Sequence, residues 1–394
     1  MRALIFSAVL LLSACGGTDN SPAAGDPGSD GGDDGVFPPA SPTDGIWMKG
    51  DLHLHSHHSS DAADNPLKEL IAFAESVGMD YFIATDHDNH VDGDVAHHTW
   101  ADPDYRSDSM VMLYGAEWTT HRGHGNPIAT KPYDHQRLYD VRDERDVDIG
   151  KVVKDLGIHM SANHPAGADT FSFSYDFVRS IEVWNSSIWS RNDGSMLVWD
   201  DLLKSGRRLT ARGGSDAHHN AMISPTEWTS NFFEGYANFV GTPTTWVYAR
   251  ERSAEAVIEA LDNGRVSVSA NPLAERVELY ADTDADGEMD LMMGDNARAR
   301  GENVNFRVDL VGGNGLIPLY TVVITKDGAE FERFTTAARS IEFNDTPSAE
   351  ARSYYRVEVL GLPTLYPQVP GSVLTSARMI GLSNPIYFNF ATNF

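Results

Sequence analysis

Fifteen histidines lie between His53 and His219, and none follows. His53 and His55 flank one residue, and Asp61 comes six positions later. Asp86 and His87 are adjacent, Glu117 follows a Gly-Ala pair, and His124 sits between two glycines. His164 precedes Pro165, and Asp216 and His218 flank Ala217. Imidazole nitrogens and carboxylate oxygens are the donors that hold Zn, Mn and Fe. His53, His55, Asp61, His87, Glu117, His124, His164, Asp216 and His218 are more donors than one four- to six-coordinate ion uses. The set therefore predicts two or three divalent transition metals, with carboxylates available as bridges. Each fragment alone is a weak signal, and it is their joint placement that carries the reading. The other histidines, including His57, His58, His90, His97, His98, His121, His135, His159 and His219, read as surface or supporting residues.

Every donor falls at the C-terminal end of a predicted strand or just past it. Strands are expected near 49–55, 81–85, 110–117, 158–163, 181–184, 208–212 and 244–248. Helices are expected near 148–156, 196–204 and 254–261, and Asn65-Pro66 opens another, with a capping residue followed by Pro at the first position. Leu67, Leu70, Ile71, Ala74 and Val77 mark that helix's buried face, and Gly78 closes it. Alternating βα units predict a parallel, barrel-like α/β domain over 46–272. In such a barrel the strand C-termini converge on one face, where the chemistry sits. His53 and His55 share one side of their strand, so both rings can reach one ion. Beyond 272 the helical signal stops, and 304–310, 320–324, 331–334 and 355–359 alternate or read as strand. Residues 273–394 are expected to form a small all-β, sandwich-like domain.

The chain opens with Arg2 and an apolar run over 3–14 that ends at Cys15, its one cysteine. That run is too short to span a bilayer and reads as a signal peptide over 1–15. Leu12-Ser13-Ala14-Cys15 resembles the bacterial lipobox. The resemblance implies lipidation of Cys15 and an extracytoplasmic protein anchored to a bacterial membrane. A single cysteine excludes an internal disulfide and a Cys-based zinc site. Residues 16–45 hold eight Gly, five Pro and six Asp with no basic residue, the composition of a flexible tether. The net charge is −27, and the acidity persists when the tether is set aside. Nucleic acid is therefore a poor partner.

Gly50-Asp51-Leu52-His53-Leu54-His55, Ala84-Thr85-Asp86-His87, Gly115-Ala116-Glu117, Gly123-His124, Asn163-His164-Pro165 and Gly214-Ser215-Asp216-Ala217-His218 resemble motifs of the PHP (polymerase and histidinol phosphatase) metallohydrolases. Glu182-Val183-Trp184-Asn185 and Ser383-Asn384-Pro385-Ile386-Tyr387 resemble the branch that includes carbaryl hydrolase. The resemblance covers 47–272 with specific motifs and the remainder loosely. It implies a distorted (β/α)7 barrel holding Zn, Mn or Fe. On its pattern His53, His55, Glu117 and Asp216 hold one ion. Glu117, as bridge, His124 and His164 hold a second, and Asp61, His87 and His218 hold a third. Trinuclear members often carry His where this chain has Asp61. A carboxylate makes the third site harder and is expected to favour Mn or Fe over Zn there.

These residues predict a metal-dependent phosphoesterase acting on small esters through a metal-bridging hydroxide, with Glu117, Asp216 and His218 as the catalytic set. Arg122 and Arg212 are the expected phosphate-binding guanidiniums. The same centre would serve a carbamate or carboxylic ester. A non-enzymatic alternative is a surface lipoprotein that binds metal or another ligand. Asp282, Asp284, Asp286 and Asp290, with Gly287, resemble a calcium loop, although Met293 stands where the bidentate Glu belongs.

Overall fold

The computed structural model describes residues 44–91, 94–166, 170–218, 239–313, 319–362, 364, 366 and 379–391. Cys15, His219 and the tether up to residue 43 lie outside the described residues. The chain is mixed α/β, with many strands and few helices.

The first βα unit follows from its sequence. The start differs from the expected Asn65 cap: Pro66 is extended and itself stands at the cap of the helix Leu67–Ser76, while the Asn65 amide donates to His55 carbonyl. The helix buries Leu67, Leu70, Ile71, Phe73 and Ala74. Gly78, at φ +71°, takes the left-handed turn that ends it. The chain then returns as the strand Tyr81–Phe82, parallel to Ile46–Asp51 with Gly50 opposite Tyr81. Val111–Met112 adds a third parallel strand. A second parallel set joins His159–Ala162, Ser180–Asn185 and Thr210–Gly214.

The sheets are not wholly parallel, contrary to the βα pattern read from the sequence. Trp118–Thr120 and Gly123–Ala129 form a tight antiparallel hairpin, and Gly123–Ala129 also runs antiparallel to His159–Ala162. Such a hairpin needs only a few linking residues, whereas a parallel crossover needs a dozen or more. Gly123, at φ +117° with Phe171 Cα 2.7 Å from where a Cβ would stand, makes that turn. Thr244–Ala249 runs antiparallel to Ile46–Asp51.

Side chains tie Thr210–Gly214 to the neighbouring strands. The Thr245 hydroxyl accepts from Gly213 N–H and donates to Gly213 carbonyl, both at 2.9 Å. The Asn384 amide donates to the carbonyls of Ala211 and Val266, each at 2.8 Å, and its oxygen accepts Ala211 N–H at 2.7 Å. Inside, Met48, Ile128, Ile181, Trp199, Val247 and Val268 belong to one apolar cluster.

Among the described residues no helix follows 272. Arg276–Asp282, Leu291–Met292, Val304–Val311 and Ser340–Asp345 form a four-stranded antiparallel sheet. Tyr320–Lys326, Ser353–Leu360 and Met379–Ser383 continue the large sheet, where Val268 pairs with Leu382. That sheet thus runs unbroken across residue 272. The alternation read from the sequence over 304–310 is real: Val304, Phe306, Val308 and Leu310 are all buried. It places Phe306 and Val308 in one cluster with Val322, Val357 and Phe388.

Candidate metal centre

Glu117 is the hub. Its side chain is 1% exposed, and five imidazoles face it. Oε1 lies 3.2 Å from His53 Nε2, His124 Nδ1 and His164 Nε2 alike. Oε2 lies 3.0 Å from His87 Nδ1 and 3.5 Å from His55 Nε2. Asp216 Oδ1 completes this side, 3.0 Å from His55 Nε2 and 3.3 Å from His53 Nε2. Asp61 Oδ2 lies 3.4 Å from His87 Nε2 and 3.3 Å from His218 Nε2. All nine donors named from the sequence thus meet in one connected cluster. Within it, His53, His55, Glu117 and Asp216 offer donor atoms all within 4.8 Å of one another, as do His55, His87 and His218.

Backbone pairing at the strand ends sets this convergence. Asp216 N–H donates to His53 carbonyl at 2.7 Å, and Leu54 bridges Ala217 in parallel. His87 bridges Glu117 the same way. Asp51, buried, accepts from Ser215, His53 and Gly241 N–H, locking the start of the His53 segment to the Asp216 loop. His164 at φ +26° and Asp216 at φ +53° hold a backbone region costly for side-chain-bearing residues. Gly214 allows the close approach: a Cβ there would stand 2.4 Å from His53 Cβ and 2.5 Å from Glu182 Oε1.

The electrostatics follow from burial against pairing. Burial alone would raise the Glu117 carboxyl, but the rings of His53 and His87 hold it well below the usual range. Asp216 is likewise depressed against its burial, by His53 and His55. Burial lowers His55 to about 4, and the neighbouring His218 and His87 add to that. His218 goes the other way, to about 9, because Asp61 and Asp216 outweigh its burial.

The donors fit metal ions, and His53 shows why. Its Nδ1–H donates to Glu182 Oε1 at 2.9 Å, so Nε2 is the nitrogen turned to the centre. The carboxylates of Glu182, Glu117 and Asp216 outweigh burial and favour a proton there, which a metal ion would replace. That buried Nε2 makes no hydrogen bond, although carboxylate oxygens of Glu117 and Asp216 stand 3.2 and 3.3 Å away. A buried nitrogen held among carboxylate oxygens calls for positive charge at that point, which a bound cation supplies. His218 is fixed similarly: Nδ1–H donates to Asp216 carbonyl at 2.8 Å and leaves Nε2 toward Asp61.

The two arginines are engaged elsewhere. Arg122 pairs with Asp146, donates to Glu144 carbonyl at 3.1 Å, and lies 4.0 Å over the Phe173 ring. Arg212 is fully buried, donating to Ser161 Oγ at 2.6 Å, Glu182 Oε1 at 2.9 Å, and the Asn163 side chain. It supports ligands without joining them. The calcium-like aspartates fold onto their own loop. Asp282 accepts Ala285 and Gly287 N–H at 2.7 and 3.0 Å, and Asp286 accepts Glu288 N–H at 2.8 Å. Asp284 accepts Asp286 N–H at 3.3 Å, and Asp290 accepts Thr283 N–H at 2.7 Å.

Several supporting residues are not evident from the sequence as part of the centre. Glu182 Oε2 accepts His164 N–H at 2.9 Å while Oε1 holds His53. The Asn163 amide donates to Glu117 Oε1 at 2.9 Å, and Asn185 donates to Glu182 and Asp216 at 3.1 and 3.2 Å. Thr119 Oγ1 accepts from His87 Nδ1 at 2.7 Å. One available signal is Glu182 itself, a charge inside the apolar run Ile181–Trp184.

No protein-family model matches this chain, and no curated protein matches it. A solved structure does: a two-domain protein from Bacteroides vulgatus containing a predicted PHP-like metal-dependent phosphoesterase. It is 16% identical, with 89% of this chain and 98% of that one covered, at a TM-score of 0.44. At this similarity the activity in that description belongs to that protein.

Proposed function

We propose that this chain is a PHP-type metal-dependent hydrolase of small esters, built on a distorted (β/α)7 barrel, with phosphate monoesters or diesters as its first substrate class. The observation that carries the reading is Glu117, one buried carboxylate faced by five histidine nitrogens. His53, His55, Glu117 and Asp216 would hold one ion, and Glu117, His124 and His164 another. Asp61, His87 and His218 would hold a third. Zn, Mn or Fe bound there would supply Lewis acidity and bring the pKa of water toward neutrality.

The chain's own residues supply order. Glu182 fixes the His53 tautomer and the His164 backbone, and Arg212 neutralises Glu182. Asn163 and Asn185 orient Glu117 and Asp216. The more open donors, His218 and Asp61, with side chains 23% and 39% exposed, mark the side from which substrate enters.

A second reading, a carbamate or carboxylic ester hydrolase, draws support from one feature. Neither Arg122 nor Arg212 offers its guanidinium to the centre. A dianionic phosphate is normally met by such a group, whereas a neutral carbamate needs none. Turnover of an aryl phosphate and an aryl carbamate, before and after metal stripping and reloading, separates the readings. Metal-dependent phosphate cleavage supports the first, and carbamate cleavage alone supports the second. If neither is cleaved by metal-loaded protein, a binding function replaces both. The likeness of residues 12–15 to a lipobox supports an extracytoplasmic site of action on a bacterial membrane.

A further inference from the structure

Asp61 supplies a carboxylate where the resembling family often has an imidazole. Another imidazole stands beside it. His90 N–H donates to His87 carbonyl at 3.1 Å, a turn just past the Asp86-His87 strand end. The turn lays the His90 ring against the His87 ring, with centroids 4.4 Å apart. His90 Nδ1 then lies 3.4 Å from Asp61 Oδ1, while Asp61 Oδ2 faces His87 and His218. That nitrogen is buried and makes no hydrogen bond. Donor atoms of Asp61, His87 and His90 all lie within 4.8 Å of one another.

We propose that His90 is a ligand of the third ion, and that the set Asp61, His87, His90 and His218 selects zinc. The proposal rests on reading the centre as metal-binding. Asp61 is the shared member, with Oδ2 toward His87 and His218 and Oδ1 toward His90. Three neutral imidazoles and one carboxylate make a nitrogen-rich set, which suits zinc above manganese or iron(II). The hardness that Asp61 alone would confer is thereby reversed. His90 follows no strand pattern and lies outside the resemblance motifs, so only the fold brings it to the site.

The test is zinc and manganese binding by the stripped full chain, measured in competition with a chromophoric chelator. Wild type is expected to take three zinc ions and to prefer zinc over manganese at every site. His90→Ala should keep two zinc ions and bind the third at least about tenfold more weakly, with its circular dichroism unchanged. His97→Ala, an exposed neighbour, should keep all three. In the cobalt-loaded protein, His90→Ala should lose visible absorption from one site. Asp61→Ala combined with His90→Ala should cost no second ion. Three zinc ions at wild-type affinity in His90→Ala would overturn the proposal, as would a wild type that prefers manganese at the third site. A wild type that binds no divalent ion would instead overturn the reading of the centre itself.

Discussion

Arg212 and Glu182 form an ion pair with neither side chain exposed, Nη1 to Oε1 at 2.9 Å. The same carboxylate holds the His53 ring and the His164 backbone. Charge that far from water is tolerated only when every partner is present. Arg212→Met should therefore leave the buried Glu182 without its permanently charged partner and cost about 3–5 kcal/mol of stability. Urea unfolding measures this, and a loss under about 1 kcal/mol, on the order expected of exposed pairs, would contradict it.

Glu117→Ala removes the carboxylate that five imidazoles share. At least one metal ion should be lost, and hydrolysis should fall by orders of magnitude while the circular dichroism persists. Metal analysis alongside turnover of an aryl ester checks both. Full metal content with normal turnover would place the chemistry elsewhere.

Arg122→Ala should leave KM for an aryl phosphate within about twofold of wild type, because the guanidinium serves Asp146 and Phe173 and not the centre. A tenfold rise in KM would show that the arginine swings to meet substrate.

On the lipobox reading, Cys15→Ser should release the protein from the membrane fraction without changing turnover, since the Gly-, Pro- and Asp-rich stretch after it has the composition of a flexible tether. Sedimentation of the serine variant with membranes would assign attachment to another part of the chain.

Much of this is legible in the residues. Pro66 and Gly78 bracket the first helix because each restricts or frees one backbone angle, a local effect that needs no tertiary context. The donors are legible because strand ends recur in order along the chain. Gly123–Ala129 does not read as a strand: Gly-His-Gly-Asn-Pro-Ile-Ala has neither alternation nor β-branched density, and pairing with Trp118–Thr120 and His159–Ala162 makes it one. Arg122 and Arg212 read as phosphate ligands because each flanks a motif. Their partners Asp146 and Glu182 lie 24 and 30 positions away, a distance over which adjacency says nothing. His90 escapes a linear reading for the same reason, since its partner Asp61 belongs to an earlier loop.

Asn384→Ala should leave the N–H and carbonyl of Ala211 short of partners, costing about 1–3 kcal/mol for each group stranded, while the Val266 carbonyl keeps the backbone N–H of residue 384. Denaturant midpoints measure this, and an unchanged midpoint would show that water replaces the amide.

The Asn384 amide meets Ala211 across 173 positions of chain. A ribosome releases Ala211 and its neighbour Arg212 long before the residue that clasps their strand. Contacts of such separation form late and slowly, because the intervening chain must first be gathered. Until the last of those 173 positions is made, the strand that leads into the Asp216 loop therefore stands without its Asn384 clasp, and the donors on 53–218 wait on the far end of the chain for their final placement.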